Sequence, residues 1–66
     1  MTSQDLRKWR ALKRLSQVQA AKLMGYSLRQ YVTLEGRTGE LSDRINRAFR
    51  GAQAVLAERE AAEEVI

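Results

Sequence analysis

Residues 16–36, SQVQAAKLMGYSLRQYVTLEG, decide how this chain is read. They contain two short amphipathic helical patterns with Gly25 between them. Ser16 and Gln19 stand three apart, the spacing at which a serine hydroxyl and a glutamine side chain satisfy two orphan backbone donors and open a helix. Ala20, Ala21 and Met24 form the inner face of that helix, and two successive alanines suit a place where another helix must approach closely. Gly25 follows where a left-handed residue ends a helix at little cost. Ser27 is expected to cap the next helix, which runs to about Leu34 or Glu35 and is ended by Gly36. Tyr31 and Leu34 point inward, and Tyr26 anchors the turn. Leu28, Arg29, Gln30, Val32 and Thr33 are left facing outward. Two helices joined in this way make a helix-turn-helix arrangement, whose second helix can enter the DNA major groove.

The flanks extend the same pattern. A first helix is expected from Thr2 or Ser3 to about Lys13 or Arg14, with Asp5 in its first turn, where an acid suits the helix dipole. Leu6, Trp9, Arg10 and Lys13 share one face, and Trp9 reads as core. Leu15, just before the Ser16 cap, is placed to staple onto the second helix. After a short loop, Gly36 to Gly39, Ser42 is expected to cap a long last helix covering about residues 42–63. Ile45, Ala48, Phe49, Ala52, Val55, Leu56 and Ala62 recur there with a period near 3.5, and Gly51 is expected to kink or break the helix. Proline is absent and no segment alternates with period two, so the fold class is all-α, in one domain spanning residues 1–66.

Composition narrows the function. The chain has no cysteine and no histidine, so a disulfide is impossible and a zinc site lacks its usual ligands. The carboxylates sit mostly at caps or on the tail, and no general acid–base pair or nucleophile is set up. Neither an enzyme nor a cofactor is expected. No apolar run resembles a signal peptide or a membrane span, so the expectation is a soluble cytoplasmic protein. Residues 1–50 carry eleven Lys/Arg against four Asp/Glu, whereas residues 51–66 carry one Arg against four Glu. A basic body with an acidic tail points to a polyanionic partner for the body.

Taken together, Arg10, Leu15-Ser16-Gln17, Ala20, Ala21, Met24, Gly25, Tyr26, Ser27, Tyr31, Leu34, Glu35 and Gly36 resemble the lambda-repressor/Cro type of helix-turn-helix, the XRE-like family of small bacterial and phage regulators. The resemblance covers roughly residues 6–37. It implies a compact domain of four to five helices, with the usual final helices compressed here into one long segment. Arg14 stands where the family commonly has glycine, so the first turn is expected to be built differently. Further implications are a structural ion pair between Arg10 and Glu35, and base contacts early on the third helix and one turn later. By position these contacts fall to Leu28, Arg29, Gln30 and Thr33, with Val32 beside them. Gln17 holds the family's usual phosphate contact.

The chemistry of these side chains fits those places. Arg29 can bond guanine O6 and N7 in a two-pronged contact, and Gln30 can do likewise to adenine or reach a phosphate. Leu28, Val32 and the Thr33 methyl suit thymine methyl groups. Ser27, Arg37, Thr38 and Arg44 flank the outer helix and are expected on phosphates. Lys22 is a weaker candidate, while Lys8, Lys13 and Arg14 add long-range attraction. One such unit reads few base pairs, so a homodimer on a palindromic operator is expected. The last helix supplies its candidate interface through Phe49, Ala52, Val55, Leu56 and Arg59. The other course for that stripe is to fold back on Trp9 and Leu12 within one chain. The sequence therefore reads as a DNA-binding regulator, most simply a repressor acting on its own promoter. The alternative is a DNA-binding antitoxin or interaction protein whose last helix holds a partner protein.

Overall fold

The first three helices begin where side-chain caps start them. The computed structural model describes residues 1–64 and contains four helices, α1 (Ser3–Leu12), α2 (Gln17–Met24), α3 (Leu28–Glu35) and α4 (Asp43–Glu64). Thr2 precedes α1, and its N–H donates to Asp5 Oδ2 at 2.9 Å. Ser16 caps α2 through a reciprocal pair: Gln19 N–H donates to Ser16 Oγ at 3.1 Å, and Ser16 N–H donates to Gln19 Oε1 at 2.9 Å. The same box recurs at α3, where Gln30 N–H donates to Ser27 Oγ at 3.2 Å and Ser27 N–H donates to Gln30 Oε1 at 2.9 Å.

The two turns inside residues 12–28 share one construction, which corrects the expectation for the first of them. Gly25 ends α2 at φ 79°, and Tyr26 N–H donates back to Ala21 O at 2.9 Å. Arg14 ends α1 at φ 56°, and Leu15 N–H donates back to Arg10 O at 2.9 Å. Both are left-handed helix stops with the same six-to-one closure. Arg14 holds a conformation that costs an L-residue about 1–2 kcal/mol, and the closing bonds keep it there.

The core draws on every helix: Leu6, Trp9, Ala20, Ala21, Met24, Tyr31, Leu34, Leu41, Ile45 and Ala52 are buried together. Ala20 and Ala21 lie at the centre, where α2 packs on both α3 and α4. The apolar stripe of α4 turns inward, so two of its expected interface residues serve the monomer. Phe49 meets Trp9 edge-on, with ring centroids 5.2 Å apart, and Ala52 is 0% exposed. Ala52 therefore cannot face a second copy. Leu12 takes no part in this fold-back and remains 79% exposed.

The connection from α3 to α4 is longer than the four residues read from sequence, and it is laced to the N-terminus. Thr2 bridges Glu40, Leu41 N–H donates to Met1 O at 2.8 Å, and Leu41 is buried. Ser3 Oγ donates to Arg37 O at 2.8 Å. These contacts fix where α4 starts relative to α3.

Gly51 does not break α4, which runs through it without interruption. A Cβ built there meets nothing within 4 Å. Gly51→Ala is therefore expected to stabilise the fold by about 0.5–1 kcal/mol through helix propensity alone. In thermal unfolding this is a rise of about 2–8 °C, and an unchanged or lower midpoint would contradict it.

Candidate nucleic-acid interface

Helix α3 presents two strips to solvent. Leu28 and Val32, one turn apart, are 45% and 43% exposed. Arg29 and Thr33 form the adjacent strip with Gln30, and they line an open cleft of ≈ 470 Å³ between α3 and the start of α4. Arg37 from the connecting loop and Arg44 from the first turn of α4 line its other side. Three arginines thus line one cleft that no carboxylate lines. Arg29, Arg37 and Arg44 form no ion pair among the described residues.

The remaining candidates lie elsewhere or are otherwise engaged. Gln30 Oε1 accepts from Ser27 N–H, which leaves one lone pair and the amide NH₂. A two-pronged adenine contact therefore needs that oxygen to accept a second hydrogen bond or to release the cap. The repeated Ser-x-x-Gln spacing, already used to read Ser16 and Gln19, was the signal for this second cap. Thr33 Oγ1 donates to Arg29 O at 2.9 Å, which leaves the methyl as its outward-facing group. Thr38 lies on the far side of the loop, in a separate cleft with Arg7. Gln17 turns inward: its Nε2 donates to Glu35 Oε1 at 3.1 Å.

Beneath α3 lies Glu35, the one buried charged residue among the described residues. Glu35 is 6% exposed and accepts from Arg10 Nε at 2.7 Å and Arg10 Nη2 at 3.2 Å, besides Gln17. Arg10 Nη1 also reaches Leu15 O at 3.4 Å, so one guanidinium ties α1, the first turn and the end of α3 together. Burial works to raise the Glu35 carboxyl, but the hydrogen bonds from Arg10 and Gln17 outweigh it and hold it below the usual glutamate range. The same pair keeps Arg10 protonated. The arrangement ties the end of α3 to α1 and α2.

Tyr31 lies beside this pair with its hydroxyl fully buried and without a hydrogen-bond partner. Burial, and then the neighbouring Glu35 carboxylate, push its phenol well above the ordinary range. An unpartnered buried hydroxyl costs free energy, so Tyr31→Phe is expected to leave stability unchanged or higher. A loss above about 1.5 kcal/mol in urea unfolding would show instead that the hydroxyl holds Glu35.

A second groove, of ≈ 350 Å³, lies between α2 and the distal half of α4. Leu15, Leu23, Val55 and Leu56 form its apolar floor, with Lys22 and Arg59 at its walls. Of the expected interface residues, Val55, Leu56 and Arg59 thus remain at a surface. Lys13 meets Glu60 at 3.3 Å and is tied up within the chain.

Among the described residues, no group of acidic side chains could hold a metal ion, and no helix is long and apolar enough to cross a membrane. No known protein family, curated protein or solved structure matches the chain.

Proposed function

We propose that this protein is a sequence-specific double-stranded DNA-binding regulator of the lambda-repressor/Cro type, with α3 as the element that enters the major groove. The observation that carries this reading is the cleft in which Arg29 on α3 faces Arg37 and Arg44. A helix with an exposed apolar strip and one arginine, flanked by further arginines with no counter-charge, suits a polyanion whose groove also displays base edges. Arg29 reads a guanine, while Leu28, Val32 and the Thr33 methyl pack on thymine methyls. Arg37 and Arg44 hold the phosphates on one side of α3. No cofactor enters this scheme, and its setting is the cytoplasm of a bacterial or phage-infected cell.

One α3 reads only a few base pairs, so a second copy is part of the proposal, on inverted half-sites about 34 Å apart. The groove between α2 and α4 supports this, because Val55 is exposed there and Leu15, Leu23 and Leu56 are only partly buried by the monomer. The exposed Glu58 and Glu63 of a second copy's α4 complement its Lys22 and Arg59. Occupation of its own promoter, controlled by the protein's own concentration, is then the simplest regulatory use.

The test is a selection from random duplexes at moderate salt, followed by counting chains per selected duplex. An enriched inverted repeat bound by two chains is expected; enrichment of no motif rejects the reading. The second reading, an antitoxin or interaction protein, is favoured by the shape of α4. Its 22 residues span about 33 Å, and the chain's long axis is 41 Å against 20 and 19 Å for the others. The last turns of α4, with Ala61, Ala62 and Glu63 exposed, are open to a partner protein. A stoichiometric co-purifying partner would favour that role.

A further inference from the structure

The loop after α3 has a second charged face that the DNA-reading scheme leaves unused. A cleft of ≈ 290 Å³ lies on the α1 side of this loop, lined by Ser3, Gln4, Arg7, Arg37 and Thr38 among others. The Ser3 Oγ bond to Arg37 O, at 2.8 Å, fixes the loop against α1. Arg7 is one helical turn beyond Ser3, on the same face, and so overlies that junction. Arg7 and Arg37 are both exposed, and neither forms an ion pair among the described residues.

The nearby acids do not neutralise them. Asp5 is two positions from Arg7, on the opposite side of α1, and its carboxylate accepts from Thr2 N–H at 2.9 Å. Glu40 binds the N-terminal ammonium at 2.6 Å. Two guanidinium groups lining a cleft this small repel one another unless an anion lies between them. The Thr38 hydroxyl and the first-turn N–H groups of α1 add donors on the same side. Arg37 also lines the α3 cleft, so the two basic surfaces are continuous.

We infer that Arg7, with Arg37 and Thr38, forms a second phosphate site, occupied by a backbone phosphodiester of the duplex that α3 reads. The inference rests on the DNA-binding reading and extends its footprint past the loop onto α1. Arginine is the residue suited to this role, since its fork matches two phosphate oxygens at once. Contact here is to backbone alone and carries no sequence information.

The test compares Arg7→Ala with Lys8→Ala, which removes the same charge from the adjacent position of α1 but lines neither cleft. Binding to the selected duplex and to a scrambled duplex is measured across a salt series, with helix content checked by circular dichroism. Arg7→Ala is expected to weaken both duplexes alike and to reduce the slope of log K against log salt by about 0.9, as for one lost phosphate contact. Lys8→Ala should leave the slope nearly unchanged, and Arg7→Lys should recover part of the loss. Equal slopes for Arg7→Ala and Lys8→Ala, in a protein that still selects its motif, would overturn this inference alone. A wild-type chain that binds no duplex would overturn the DNA-binding reading and this site with it.

Discussion

Arg10→Met is expected to lower stability at pH 7 by about 2–3 kcal/mol, a large share of the roughly 3–10 kcal/mol that holds a chain of this length. The variant keeps most of the aliphatic volume but leaves the Glu35 carboxylate buried with Gln17 as its remaining donor. Breaking a fully buried pair costs about 3–5 kcal/mol; the figure here is smaller because Arg10 is 26% exposed and water can reach the gap. The pH dependence supplies a second signature. In the wild type the folded Glu35 titrates below its unfolded value. Its contribution is therefore fully present above about pH 4.5 and is lost as pH falls through the lower folded value. Without Arg10 the largest opposition to burial is gone, so the carboxyl rises relative to wild type and protonation costs the folded variant less. The gap between the two proteins should thus be widest near neutrality and close below pH 4. Thermal unfolding at pH 7 and pH 3.5 measures it. A variant within 0.5 kcal/mol of wild type at pH 7 would show that the pair is ornamental, as many exposed ion pairs are. The double variant Arg10→Met/Glu35→Leu should recover more than half the loss, because it strands no charge.

That pair also marks the limit of what could be read from the chain. The Ser16–Gln19 cap and the Gly25 turn were legible because each depends on chemistry within a few residues. Arg10 and Glu35 stand 25 residues apart, and only the resemblance to a known family joined them. The apolar stripe of α4 was visible as a stripe, but its period says which face is apolar and not which neighbour covers that face. Trp9 covers Phe49, and the packed centre of the chain encloses Ala52, so the monomer consumes part of what looked like an interface. Leu41 was missed because its partner is the backbone of Met1, and no local pattern announces a single bridge. Arg14 holds a left-handed turn for which the sequence offers no glycine as a sign. The outward face of α3 was legible as a set, since exposure follows directly from helical period. The division of labour within it was not, because the Gln30 cap and the Thr33 back-bond depend on where each side chain settles.

That division leads to the largest expected effect on function. Arg29→Ala should cost about 1–3 kcal/mol on the selected site, a drop of about 5- to 150-fold, and should relax one position of the enriched motif. Arg29 sits at the second position of α3, and no ion pair among the described residues engages its guanidinium. Arg44→Ala removes the same charge from the opposite wall of the same cleft. It is expected to weaken every sequence alike and to lower the salt slope by about 0.9, because phosphate contacts carry no base information. Gln30→Ala separates the two roles from a third. With its carbonyl oxygen on Ser27 N–H, its loss should destabilise α3 by about 0.5–2 kcal/mol and relax no position of the motif. Selections run in parallel on the three variants distinguish these outcomes. If Arg29→Ala and Arg44→Ala prove alike, with the motif intact in both, the cleft is an electrostatic clamp and base reading belongs to the Leu28–Val32 strip. If Gln30→Ala instead loses a position, the cap opens on DNA and the glutamine exchanges Ser27 for a base.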